Sequence, residues 1–170
     1  MEAVERLNPS NVPGRVVVIV RMGADQVREK LPALVRGVLK TGKNVLWVSD
    51  PVRGNVVKSG KDGQEDTIEF EAIRAELRAF FDVHEDLGTH VGGLHLEMTG
   101  DDVSECLGGV SEVTEEKAAK ASQSTAAAEQ EGPEMRIRVP RLNGEQAIEL
   151  AFLVGERMRK RMALPPLSVQ

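Results

Sequence analysis

Three arginines stand where a guanidinium could do chemistry. Arg21 follows directly on the β-branched run Val16-Val-Val-Ile-Val20, Arg53 lies in Asp50-Pro-Val-Arg-Gly-Asn55, and Arg141 lies in Pro140-Arg-Leu-Asn143. A guanidinium presents its donors in a fixed planar fork, which suits a phosphate or a carboxylate. His95 and Glu97 alternate with Leu94, Leu96 and Met98, so they share one face of a short extended segment. Polar groups on a face that ought to be enclosed need an explanation. His95 reads more simply as a hydrogen-bonded interior histidine than as a catalytic base. His84 and His90 fall at a helix end and in a loop, where capping or solvated roles are ordinary. Cys106 is the single cysteine and sits beside Leu107, a setting in which a thiol is usually packing volume rather than a redox centre.

The elements that must position these groups follow a repeating order. Val16–Val20, after the turn-like Pro13-Gly14, reads as a parallel strand buried on both faces. From Asp25, the residues Val27, Leu31, Leu34, Val35, Val38 and Leu39 recur at spacings of three and four, and Gly42 supplies a helix stop. Val45–Val48 gives a second strand, and Phe70, Ile73, Leu77, Phe80 and Phe81 mark a second helix ending near Gly88. A third strand is expected over Leu94–Met98 and a fourth over Met135–Val139. Ala147, Ile148, Ala151, Phe152, Val154 and Met158 are expected to line one side of a closing helix. Residues 111–134 are rich in Ala, Glu, Ser and Gln, with no large apolar residue after Val113, and are expected to form a mobile insertion. The tail 163–170 is expected to fray. One domain spans 1–170, its core at about 13–110 and 135–162.

Four strand-then-helix units imply parallel strands joined by right-handed crossovers, the α/β class. Pattern alone leaves two topologies open: a small open sheet covered by helices, or half of an eight-fold barrel. Composition narrows the partners. The chain has 22 Lys and Arg against 27 Asp and Glu, a net charge of -5, so it carries no electrostatic footprint for nucleic acid or an anionic membrane. Its longest apolar run is far short of the roughly 20 residues that a membrane span requires. With one cysteine and no signal-like start, a reducing, cytoplasmic setting is expected.

The stretches RVVVIVRMG, WVSDPVRGN, FFDVHEDLGTHVGGLHLEMTGDDVSECLGG and PRLNGEQAIELAFLVGERM resemble the type II 3-deoxy-D-arabino-heptulosonate 7-phosphate (DAHP) synthases, in order and in spacing. The resemblance implies a (β/α)8 barrel of which this chain supplies the carboxy-terminal half, strands five to eight. It also implies a reaction, the condensation of phosphoenolpyruvate with erythrose 4-phosphate in aromatic biosynthesis, and a divalent metal such as manganese or cobalt. By that likeness Arg21, in the R-M-G motif, would grip the phosphate of phosphoenolpyruvate. Metal ligation in the family draws on a Cys from the other half, a His in D-P-x-H-G-N, the Glu of H-x-E-x-T-G and the Asp of D-P-R-L-N. Only the Glu is retained, as Glu97; Arg53 stands at the His position and Val139 at the Asp position. A permanently charged guanidinium at a ligand position opposes a cation. The family's K-T-R segment is replaced by Asp66-Thr67-Ile68, and its G-T-H-P-G-G by GTHVGG, with Val91 for proline.

Glu97 is then either a relic metal ligand or the ion-pair partner of Arg53. If the family geometry holds, Arg21, Arg53 and Arg141 converge on a small anion pocket without a metal; otherwise each pairs with a local acid such as Asp50 or Glu97. The expected protein is a truncated, diverged synthase homologue, inactive alone. The alternatives are a non-catalytic anion-binding or partner-barrel subunit and a fragment without a selected role. Edge strands left open predict a partner, either a second copy or a complementing amino-terminal half.

Overall fold

Alternation along the first β-branched run decides how the sheet is covered. In the computed structural model, which describes residues 1–59, 65–110, 113, 114, 116 and 140–162, strand β1 (Val17–Val20) turns Val18 and Val20 toward the helices. Val17 and Ile19 are left exposed on the other face. The expectation of burial on both faces is therefore corrected: among the described residues, helices cover one side of this sheet only. A short helix α1 (Glu2–Leu7) precedes it.

Helix α2 (Ala24–Leu39) buries Val27, Leu31, Val35 and Val38, with Leu34 half-buried, but Leu39, which the spacing also assigns to this stripe, is exposed at the helix end. Strand β2 (Leu46–Ser49) lies parallel to β1 with Val17 opposite Leu46 and Ile19 opposite Val48, so the exposed Val17, Ile19 and Leu46 share a face. The single turn α3 (Pro51–Gly54) follows, with Asp50 as its N-cap. Two short strands not foreseen in the sequence come next, β3 (Val57–Ser59) and β4 (Glu65–Glu69), paired antiparallel. Helix α4 (Phe70–Asp86) packs against α2 and buries Phe70, Ile73, Leu77, Phe80 and Phe81.

The third parallel strand, β5 (Val91–Leu94), begins earlier than expected. Glycine pairs are poor strand formers, so the sequence pattern favours Leu94–Met98 over Val91-Gly-Gly-Leu94. Here glycine is what permits the pairing: a Cβ on Gly92 would overlap the Leu46 side chain and sit 2.9 Å from the Trp47 carbonyl. The ladder with β2 carries an irregularity at Trp47 and Val48 and continues as far as the His95 amide, which donates to the Ser49 carbonyl at 2.8 Å. Beyond it, Met98 forms an isolated parallel bridge with Leu142, and the Leu142 amide donates to the Glu97 carbonyl at 2.9 Å. The parallel order is thus β1-β2-β5, with residue 142 beside the extension of β5.

Strand β6 (Cys106–Leu107) joins β4 in a second small sheet, β3-β4-β6. Val113, which the composition assigns to the mobile span, is buried and bridges Gly108. Apart from Thr114 and Glu116, the rest of 111–134 lies outside the described residues, as do the expected strand Met135–Val139 and the tail 163–170.

The closing helix α5 (Gly144–Met162) starts with a reciprocal cap: the Gln146 amide donates to Asn143 Oδ1 at 3.0 Å, and the Asn143 amide to Gln146 Oε1 at 3.2 Å. Gln146 Nε2 also donates to the carbonyls of Cys106 and Gly108, both at 2.9 Å. The buried face runs through Gln146 and Leu150 to Leu153, Val154 and Met158. Val154 and Met158 thus lie where the periodicity puts them, but Ile148 and Phe152 are exposed. Each stands two positions after a buried residue, about 200° around the helix. The result is a mixed α/β fold with parallel strands, consistent with part of a TIM-type barrel.

Candidate functional site

Polar side chains gather where the parallel strands end. β1 runs into Arg21, β2 into Asp50, and the extension of β5 into His95 and Glu97. Asp50 is fully buried and is the hub. It accepts from Arg21 Nε at 2.7 Å and from the Arg53 backbone amide at 3.2 Å. Arg53 Nε lies 3.9 Å away and His95 Nδ1 lies 3.4 Å away. Charge-assisted bonds of this kind are the strong class, and a buried carboxylate needs them.

Arg53 donates through Nη2 to Glu97. Arg21 is held only through Nε; among the described residues its two terminal nitrogens have no partner, and its side chain is 45% exposed. That leaves a donor fork fixed at its base and open at its end.

The structure brings Arg21, Arg53 and Glu97 together. Arg141 is engaged differently: its Nε and Nη2 bind the Glu105 carboxylate at 3.1 and 2.7 Å, and its amide donates to the same group at 2.7 Å. The Leu142–Glu97 backbone bond draws Arg141 near the rim, with its guanidinium committed to Glu105. Val139 lies outside the described residues.

A divalent ion does not fit the donors present. Glu97 is occupied by the Arg53 guanidinium, and Asp50 is shared between Arg21 and the Arg53 amide, so an incoming cation would meet an arginine beside each carboxylate. Among the described residues there is no group of three or more His, Cys, Asp or Glu side chains able to hold a metal.

The other titratable groups are structural. His84 is fully buried, with Nδ1 2.7 Å from Thr89 Oγ1 and its ring against Phe80 and Trp47 at 4.6 and 5.5 Å. Burial first, then the nearby Arg161 and His90, lowers its pKa to about 4, so it is neutral at pH 7. Burial pushes the Cys106 thiol up to about 12, aided by Glu69, which makes it a poor nucleophile. His90 lies beside Arg161 Nη2 at 2.6 Å, and partial burial together with that cation lowers its pKa.

Sequence reasoning misses the hub and its support. Asp50 enters it only as a local acid, although its place before Pro51 at the end of a strand is a cap signal. Glu76 does not enter it at all; the clue is a carboxylate on the apolar stripe of α4, between Ile73 and Phe80.

A parallel sheet that gathers polar side chains at the carboxyl ends of its strands is an arrangement typical of α/β proteins, barrels among them. The chain belongs to the Class-II DAHP synthetase family, whose model matches residues 1–155. It is 41% identical over 159 residues to the phospho-2-dehydro-3-deoxyheptonate aldolase of Streptomyces coelicolor (strain ATCC BAA-471 / A3(2) / M145), covering 94% of this chain and 32% of that protein. It is also 41% identical over 159 residues to the phospho-2-dehydro-3-deoxyheptonate aldolase AroG of Mycolicibacterium smegmatis (strain ATCC 700084 / mc(2)155), covering 94% of this chain and 31% of that protein. The chain therefore spans about a third of the length of the curated relatives it matches. Among the described residues, no helix is long and apolar enough to cross a membrane.

Proposed function

We propose that this chain is a diverged relative of the DAHP synthases that binds a small phosphate- or carboxylate-bearing anion at its rim and does not carry out the family condensation alone. Phosphoenolpyruvate is the first candidate ligand. The observation that carries the reading is Arg21, whose Nε is fixed by the buried Asp50 while both terminal nitrogens stay unengaged among the described residues. This is a preorganised fork of the kind that binds oxyanions. Arg141 is a weaker candidate because Glu105 already takes its fork. The absence of turnover follows from Arg53, which occupies the one acid retained from the family's metal set.

Calorimetric titration of the purified chain with phosphoenolpyruvate tests the binding. A Kd near or below millimolar, lost in Arg21→Ala, is expected; no heat at millimolar ligand would end the idea. Product assays with added manganese or cobalt test the inactivity, and turnover by the chain alone would overturn it.

A second reading, compatible with the first, is favoured by the exposed Val17, Ile19 and Leu46 beside β1, whose outer edge is unpaired among the described residues. Such a face is an association surface, and an unpaired parallel edge invites another strand. We infer a half-barrel of four βα units that is completed by a second copy or by an amino-terminal half. Light scattering over a concentration series is expected to find a dimer or larger species, and a monodisperse, stable monomer would defeat this reading.

A further inference from the structure

Glu76 is fully buried on the apolar face of α4, a place where a carboxylate persists only with hydrogen bonds. It accepts from the Met22 backbone amide at 3.2 Å and from Asn55 Nδ2 at 2.6 Å, and the Gly23 amide also points to it. Asn55 extends the contact: its Oδ1 accepts from the Ala24 amide at 2.9 Å, and its Nδ2 also reaches the Pro51 carbonyl at 2.8 Å. Two glycines make room for this junction. A Cβ on Gly54 would stand 2.7 Å from Glu76 Oε2, and one on Gly23, at φ +81°, would stand 2.9 Å from the Gly54 carbonyl oxygen. The loop after β1 and the loop after β2 therefore meet on one carboxylate. Arg21 lies one residue before Met22 in the first loop, and Arg53 one residue before Gly54 in the second.

We propose that Glu76 is the positioning residue of the arginine rim: by tying the two loops together it fixes the separation of Arg21 and Arg53, and thereby the grip on an anion. The affinity part of this rests on the anion reading above. Glu76 bonds to backbone amides and Asn55, so it acts on the guanidinium groups through the loops that carry them.

Glu76→Gln preserves shape but turns one acceptor into a donor that faces Asn55 Nδ2 or the Met22 amide. The double variant Asn55→Asp with Glu76→Gln exchanges donor and acceptor, so that the introduced side-chain amide would donate to the introduced carboxylate, which still accepts from Ala24. The readouts are the Arg21 and Arg53 Nε resonances of the full chain by NMR, with Arg74, paired to Glu71 and Glu149, as internal control, and phosphoenolpyruvate affinity by calorimetry. Glu76→Gln is expected to shift the Arg21 and Arg53 signals, leave Arg74 in place, and weaken affinity about tenfold, the scale of one charge-assisted hydrogen bond. The double variant is expected to restore both in part, because the carboxylate introduced at position 55 loses the bond to the Pro51 carbonyl and faces its oxygen. Gly54→Ala, which presses on the same carboxylate from the loop side, is expected to reproduce the single variant and serves if that one does not fold. Unmoved Arg21 and Arg53 signals in a folded variant overturn the proposal, as do moved signals with unchanged affinity. No heat from the wild-type chain would sink the anion reading and the affinity half with it, whereas the arginine signals judge the loop tie separately.

Discussion

Acidification from pH 7 to pH 5 is expected to cost the fold about 2 kcal/mol through one side chain, His84. In the folded chain its ring is enclosed by Trp47 and Phe80, Nδ1 meets Thr89 Oγ1, and buried Nε2 has no partner among the described residues. Protonation there would create a charge without water, which is why its pKa falls from 6.5 to about 4. The unfolded chain, with an ordinary imidazole, takes up a proton as the pH drops below 6.5; the folded chain resists until about 4. A depressed folded-state value on a base therefore means that stability is intact above 6.5 and is lost as pH falls, levelling off below 4. At pH 5, about 1.5 pH units below the ordinary value, each unit is worth about 1.4 kcal/mol, which gives the figure above. Asp82 works in the same direction at lower pH. Partial burial would raise its pKa, but Arg28 and Arg157 overcome this and hold it low. Glu76, pushed up by burial, works in the opposite sense. The assay is urea unfolding at fixed protein concentration, at pH 7 and pH 5, for the wild type and His84→Gln, a neutral variant able to meet Thr89. The other groups cancel in the difference between the two proteins. An equal loss in both, or a His84 ring that titrates near 6.5 in the folded chain by NMR, would refute the reasoning.

Two further expectations concern packing. Gly92→Ala is expected to destabilise by about 1–3 kcal/mol in chemical denaturation, because its methyl must displace Leu46 or part β5 from β2. Arg157→Ala is expected to lower stability by about 1–2 kcal/mol at pH 7 and to make the stability loss linked to Asp82 smaller on acidification, levelling off at higher pH, measured by denaturation across pH. The arginine bonds Asp82, lies 3.2 Å from Glu85 and stacks 5.6 Å from the Phe81 ring centre.

Much of the architecture is legible in the sequence because helical periodicity is a strong signal. The stripes of α2 and α4 can be placed almost residue by residue, the exposed Leu39 excepted, and β1 and β2 announce themselves by their apolar runs. What escapes does so for identifiable reasons. β5 hides behind two glycines whose value lies in a distant neighbour in the chain, Leu46. The hairpin β3–β4 and the two-residue β6 are too short for any period to show. Ile148 and Phe152 look like core on a helical wheel, and only packing reveals that Gln146 takes the interior. At the site, the pairing of Arg53 with Glu97 is among the readings that the sequence allows, but the dependence of Arg21 on Asp50, and of both loops on Glu76, needs coordinates.

If the face of Val17, Ile19 and Leu46, exposed among the described residues, is the association surface proposed above, abundance becomes a variable of structure. Association through such a surface would follow mass action, so the dilute chain and the crowded one would differ in assembly. When the chain is overproduced, copies would compete with any foreign complement for the same ground, and the ratio of the two polypeptides, rather than either affinity by itself, would choose the assembly that forms.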